Sequence, residues 1–144
     1  MIVLDTTVLV YAVGNDHPLR RPCRRIIERI GSGELAATTT LEVLQEFVHV
    51  RARRRGRQDA ARLASSFISL TTPLCAPDEA DLGVALDLFV AHGALGAFDA
   101  VLAATVLGSD RLTGLVSADR AFGTVPRLDH LDPADAGAMD RLGA

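Results

Sequence analysis

Apolar and polar positions fall into short blocks along this chain. Ile2-Val3-Leu4 is a β-branched apolar run that predicts a buried strand stopping at Asp5. Thr6 to Ala12 continues apolar and predicts a first short helix, broken at Asn15-Asp16. Asp16 is placed to cap a second helix, with Pro18 in its first turn, where a missing N–H costs nothing. That helix runs to Ile30, with Ile26, Ile27 and Ile30 on one face and arginines on the other, and Gly31 and Gly33 end it. Leu35 to Thr38 reads as a second strand. Thr39 and Glu42 form a T-x-x-E capping box that opens a long helix ending at Gly56, with Leu41, Leu44 and Val48 on its inner face.

Gln58 to Leu70 is a further amphipathic helix, with Ala61, Leu63, Ala64, Phe67, Ile68 and Leu70 as its apolar positions. Pro73 to Pro77 is extended around Leu74-Cys75. Asp78 caps a helix reaching about His92 that packs Leu82, Leu86 and Phe89. Gly93 and Gly96 flank a loop, and Ala97 to Leu107 is a nearly all-apolar helix carrying one charge, Asp99. Leu115-Val116-Ser117 is a strand leading into Ala118-Asp119, and Val125 to Leu131 holds a last short strand. Strands alternating with helices predict a single-domain α/β/α sandwich with a mostly parallel central sheet. Residues 1–132 form its core and 133–144 a peripheral tail. Sites in such sheets gather at the carboxyl ends of the strands.

Composition sharpens this picture. With 144 residues the chain fills one domain, and with 49% hydrophobic residues but only 4% aromatic ones, aliphatic side chains must fill the core. The five Phe read as core residues. No apolar run approaches the roughly 20 residues needed to span a bilayer, and the N-terminus lacks the basic start of a signal peptide. The expected location is therefore cytoplasmic, with no membrane partner. Cys23 and Cys75 have no metal-ligand spacing and read as reduced packing residues. The net charge is -3, and all 15 basic residues are arginine. The absence of lysine excludes P-loop phosphate binding, Schiff-base and pyridoxal chemistry. The arginines cluster at 20–29 and 51–62, so an acidic chain still offers local patches for a polyanion.

Four carboxylates stand where a charge is costly. Asp5 ends an apolar strand, Asp99 lies in Ala-Phe-Asp-Ala-Val-Leu-Ala-Ala, Asp119 follows an apolar strand, and Glu46 sits within Val-Leu-Gln-Glu-Phe-Val. Partly burying an ionised carboxylate costs several kcal/mol unless something compensates. Each has a plainer reading: Asp5 as a helix cap, Asp99 as a first-turn charge, Asp119 as a turn residue, and Glu46 as a surface partner of Arg53 or Arg54. Glu42 competes with Glu46, but the capping box already accounts for it. Convergence of the four on a divalent cation explains them together. An all-oxygen set favours Mg²⁺ or Mn²⁺ over zinc. Such ions bind phosphate oxygens, acidify water and stabilise a leaving oxygen, which points to phosphodiester hydrolysis.

These segments resemble the PIN-domain family. Ile-Val-Leu-Asp-Thr-Thr-Val-Leu is similar to its start, Thr38 to Arg54 to the segment with its conserved Glu, Phe98 to Ala104 to its third acidic motif, and Leu115 to Phe122 to its fourth. The likeness is greatest to VapC-type toxins of bacterial toxin–antitoxin pairs, and it spans nearly the whole chain in order. It implies a Mg²⁺- or Mn²⁺-dependent endoribonuclease that leaves a 5′-phosphate and a 3′-hydroxyl, acts as a homodimer, and is blocked by a cognate antitoxin. It assigns the metal and catalytic roles to Asp5, Glu46, Asp99 and Asp119, with Thr6 and Ser117 as supporting hydroxyls. Many relatives carry Asn or Ser where Thr7 stands. Arg51, Arg53, Arg54 and Arg55 follow Glu46 on its helix and are candidate RNA-phosphate contacts, or else cations complementing a helix C-terminus. His49 on the same helix reads as structural or surface.

Two alternatives remain open: a PIN-fold nuclease outside toxin systems, and a non-catalytic acidic α/β module. A receiver domain would need a lysine, and an Asp-nucleophile phosphatase a D-x-D, where this chain has Asp5-Thr6-Thr7.

Overall fold

Two apolar triplets, Ile2–Leu4 (β1) and Gly114–Val116 (β3), pair side by side, and Ala37–Thr38 (β2) and His130–Leu131 (β4) flank them in the order β2-β1-β3-β4. Every pairing is parallel. The computed structural model describes residues 1–144. Parallel neighbours need crossovers, and helices supply most of them. Thr6–Ala12 (α1) and Arg20–Gly31 (α2) link β1 to β2. Leu41–Arg55 (α3), Arg57–Thr71 (α4), Glu79–Ala91 (α5) and Ala97–Leu107 (α6) link β2 to β3. A 3₁₀ turn at Arg120–Thr124 lies between β3 and β4. The expected α/β/α sandwich with a parallel sheet is the observed architecture.

β1 and β3 are buried on both faces, as helix-covered parallel strands must be. One cluster of 31 buried residues joins them to every helix and is built mainly of Ala, Val and Leu. Two aromatic rings contribute where α3 and α4 clasp each other: Phe47 and Phe67 meet edge to face at 5.1 Å. Cys23 and Cys75 are both free thiols. Burial, and then the nearby Asp132 charge, push Cys23 up to about 12.

Several expectations need correction. Helix α2 starts at Arg20 and has no side-chain cap; Asp16 and Pro18 lie before it. The His17 ring stacks on Tyr11 and its Nδ1 accepts the Leu19 N–H, so this corner is organised by an imidazole in place of an aspartate cap. The cap of α3 is Thr40, whose hydroxyl accepts the Val43 N–H, while Thr39 donates its hydroxyl to the Leu4 carbonyl. Shifting the cap by one residue removes Glu42 from any capping box and turns Leu41 outward. The last short strand does lie within Val125 to Leu131, at His130–Leu131. Residues 133–144 are not wholly peripheral: Ala136–Leu142 forms α7, capped by Asp135, and buries Ala138, Met139 and Leu142 in the core.

Helix α5 begins at the predicted Asp78, with a reciprocal bond to Asp81. Yet Ala85 is its only buried residue, and Leu82, Val84, Leu86, Phe89 and Val90 face outward. The periodicity alone places Leu82, Leu86 and Phe89 inside. Phe98 is exposed as well, so not all five Phe are core residues.

Candidate active site

The pairing register builds the first half of the site. Leu4 sits opposite Val116, so the next residues, Asp5 and Ser117, emerge together at the carboxyl ends of the two central strands. The Asp5 N–H donates to the Val116 carbonyl at 3.0 Å, which continues the ladder past the strands. Asp5 is buried. Its Oδ2 caps α1 and accepts the Thr7 hydroxyl at 2.6 Å and the Ser117 hydroxyl at 2.7 Å. The Ala118 N–H donates to Thr7 Oγ1 at 3.0 Å, which locks that hydroxyl in turn. The plain role and the chemical one therefore coexist: Oδ2 is spent on capping, and Oδ1 takes no hydrogen bond from the chain.

The second half comes from α3 and α6. Beginning α3 at Thr40 places Glu46 beside the start of α1, where Thr6 donates its hydroxyl to Glu46 Oε2 at 2.6 Å. That bond, and not capping, distinguishes Glu46 from Glu42. Asp99 occupies the third position of α6, where the free N–H groups of the helix start favour a negative charge. Gly96 caps this helix, and a Cβ there would lie 2.8 Å from Asp99 Oδ2. A side chain at residue 96 would force the carboxylate to shift. Asp119 caps the 3₁₀ turn through the Ala121 N–H, and its own N–H donates to Ser117 Oγ at 2.9 Å.

Electrostatics tie the four together. The Asp99 carboxyl is pushed up to about 6, first by burial and then by the charges of Asp5, Asp119 and Glu46; only the Gly96 N–H pulls the other way. Residues far apart in sequence thus act on one another through space. None of the four belongs to any of the ion pairs in the protein, which are Arg29–Glu34, Arg51–Asp59, Arg62–Asp59, Arg120–Asp132 and Arg141–Asp129. A cleft of about 490 Å³ opens over this centre, with Asp5, Glu42, Glu46, His49, Phe98 and Asp99 in its walls. Asp119 stands exposed outside that lining.

Carboxylates that repel one another without a cationic side chain suit a hard divalent cation. As they stand, no three acidic, His or Cys side chains form a closed ligand cage. Mg²⁺ does not need one, because it keeps several waters and takes one or two carboxylates directly. Asp5, Glu46 and Asp99 line the cleft together, and Asp119 lies outside it.

The sequence model of the PIN domain matches residues 2–128, which includes all four acids. The chain belongs to the PIN-domain family. Like a group of curated mycobacterial proteins, it is a PIN domain of VapC type. It is 52% identical to Ribonuclease VapC7 of Mycobacterium tuberculosis, with 99% of each chain covered. Ribonuclease VapC23 of the same species is 34% identical over 69% of this chain and 78% of its own length. Ribonuclease VapC13 is 29% identical over 91% of this chain and 99% of its own.

In this PIN domain the arginine run divides. Arg51 is not a free cation: it is mostly buried, pairs with Asp59, and donates to the Val13 carbonyl at 2.8 Å. This corrects its assignment to RNA. Arg55 donates to Asn15 Oδ1 at the surface, while Arg53 and Arg54 are exposed. Arg53 lies one turn beyond His49 on the helical face that carries Gln45, so that face runs from the acids to a free guanidinium. Sequence reasoning noted Thr7 only for its difference from relatives, read His49 as structural or surface and counted Phe98 among the core residues; the structure places Thr7 on Asp5 Oδ2 and His49 and Phe98 in the cleft. Thr7 was signalled by its place two residues after Asp5, the position of an Asx-type turn. Phe98 was signalled only by adjacency to Asp99.

Proposed function

We propose that this PIN domain is a Mg²⁺- or Mn²⁺-dependent endoribonuclease and the toxin of a toxin–antitoxin pair, acting in the cytoplasm. The observation that carries the reading is the set of four mutually repelling carboxylates, none with a basic partner, at the carboxyl ends of β1 and β3. The names of the relatives support RNA as substrate.

Asp5, Glu46, Asp99 and Asp119 would together hold the cation, directly or through water. When bound, the cation supplies an acidified water and a counter-charge for the phosphate. Thr7 and Ser117 fix Asp5 by its Oδ2, which leaves Oδ1 free to bind a cation. Thr6 holds Glu46 by Oε2, so the other oxygen can accept a proton from water. Attack of water oxygen on phosphorus and departure of the 3′ oxygen, which takes up a proton, leave 5′-phosphate and 3′-hydroxyl ends. Arg53 and Arg54 supply phosphate contacts along the strand.

The exposed apolar side chains Leu82, Leu86, Phe89 and Val90 of α5 support a homodimer, since a cluster of large apolar residues left open to water suits an interface. A cognate antitoxin would block the cleft by offering a basic side chain to the acids.

The test is cleavage of a defined RNA by wild type and Asp5→Asn, each with Mg²⁺ and with EDTA. Cleavage by wild type with Mg²⁺ alone is expected. Equal cleavage in all four arms would refute the reading, and ends carrying 2′,3′-cyclic phosphate would refute the water attack.

A further inference from the structure

Phe98 stands out among the apolar side chains of the cleft. It is 82% exposed, although it directly precedes Asp99. A large apolar ring held in water at the mouth of a polar centre contributes nothing to folding, so the fold does not explain it. Its position supplies the explanation. Residue 98 lies in the first turn of α6, one residue from the carboxylate assigned to the cation, so a group resting on its ring lies next to the scissile phosphate. The cleft beside it is floored by Val43, Val101 and Leu102 and edged by Thr40, Gln45 and His49. Its volume of about 490 Å³ falls within the roughly 300–1,000 Å³ of small-ligand clefts. An apolar floor with hydrogen-bonding edges suits a flat heterocycle, which presents two π-faces and a polar rim. The chain has no Trp and a single Tyr, Tyr11, already stacked on His17. Apart from the His49 imidazole, Phe98 is the one aromatic ring this cleft offers.

We infer that Phe98 is a base-stacking platform that seats an unpaired base of the RNA beside the scissile phosphate. The inference rests on the ribonuclease reading above. Bases in a duplex have their faces covered by neighbours and cannot stack on a protein ring, whereas unpaired bases can. Duplex RNA is excluded from productive binding for the same reason. Because the ring touches the base and not the reacting atoms, it contributes to binding in the ground state and transition state alike, and its removal acts on KM more than on kcat.

The experiment compares wild type, Phe98→Ala and Phe98→Trp on an unstructured fluorogenic RNA and on the same strand annealed to its complement. KM, kcat and the oligomeric state by light scattering are measured for each. Expected are cleavage of the single strand only, a KM about 5- to 100-fold higher for Phe98→Ala with kcat within about threefold, recovery by Phe98→Trp, and unchanged oligomeric state. Because the ring is exposed, its truncation leaves the melting temperature unchanged, and that measurement separates lost stacking from misfolding. Equal KM for wild type and Phe98→Ala, or equal cleavage of duplex, would overturn the inference while leaving the nuclease reading intact. A change of oligomeric state in Phe98→Ala would overturn it in favour of a protein contact at the ring. No cleavage by wild type of either RNA would overturn both readings.

Discussion

Replacing Asp99 by Asn should stabilise the metal-free protein, although it removes a proposed cation ligand. The Asp99 carboxyl lies at about 6 in the fold, against an ordinary value of 3.8. A raised carboxyl binds protons more readily in the folded than in the unfolded chain. As pH rises from about 4 through 6, the folded state therefore loses stability relative to the unfolded one. A shift of about two units corresponds to at most about 3 kcal/mol at pH 8. Partial exposure and salt screening reduce this to about 1 kcal/mol. The Asn side chain keeps the shape and can still accept the Gly96 N–H, so the gain should survive as about 3 °C in melting temperature. The assay is thermal unfolding by circular dichroism in EDTA. Asp99→Asn should melt above wild type at pH 8, and the gap should shrink to about half at pH 5 and close only below about pH 4, where the carboxyl is protonated in the unfolded chain as well. Millimolar Mg²⁺ should reverse the order, because only the folded wild type gains from binding. A variant less stable than wild type in EDTA at pH 8, or a gap independent of pH, would show that Asp99 is not held at a charge-repelling centre.

Gly96→Ala should fold normally, because residue 96 has an ordinary φ of -67°, but its Cβ would displace Asp99 Oδ2; kcat/KM should fall by up to about 100-fold in an RNA cleavage assay. Ser117→Ala deprives Asp5 Oδ2 and the Asp119 N–H of their shared partner, and Mn²⁺ affinity measured by titration calorimetry should drop about 10- to 100-fold. Arg51→Ala should cost about 2 kcal/mol in denaturant unfolding and leave RNA affinity alone. The double variant Arg53→Ala, Arg54→Ala should do the reverse, lowering the slope of log Kd against log salt by about 0.7 for each phosphate left without its guanidinium.

How much of this was legible in the sequence depends on whether the cause was local. The strand ending at Asp5, the apolar helix around Asp99 and the strand before Asp119 could be read because each places a charge where the surrounding pattern forbids one. The parallel sandwich followed from the alternation of elements. The cap of α3 could not be read: Thr38, Thr39 and Thr40 are chemically alike, and the choice is made by the Leu4 carbonyl, which claims the Thr39 hydroxyl across the sheet. The capping box is therefore no reason to prefer Glu46 over Glu42, while the Thr6 hydroxyl supplies one that holds. Arg51 and Arg53 look equivalent in the sequence, but Asp59 on the next helix captures only the first. The apolar residues of α5 read as inward because periodicity reports that a helix has apolar positions and not which surface covers them. The tail looks peripheral because Gly and Ala dominate it, yet Met139 and Leu142 suffice to anchor one short helix.

If distant acids share one cation, direct measurement of Mn²⁺ binding should reveal it. Titration calorimetry on wild type and on Asp5→Asn, Glu46→Gln, Asp99→Asn and Asp119→Asn should show binding in wild type and weaker binding in each of the four variants. Binding of equal strength in all five proteins, or none in wild type, would mean that these carboxylates do not form a metal centre.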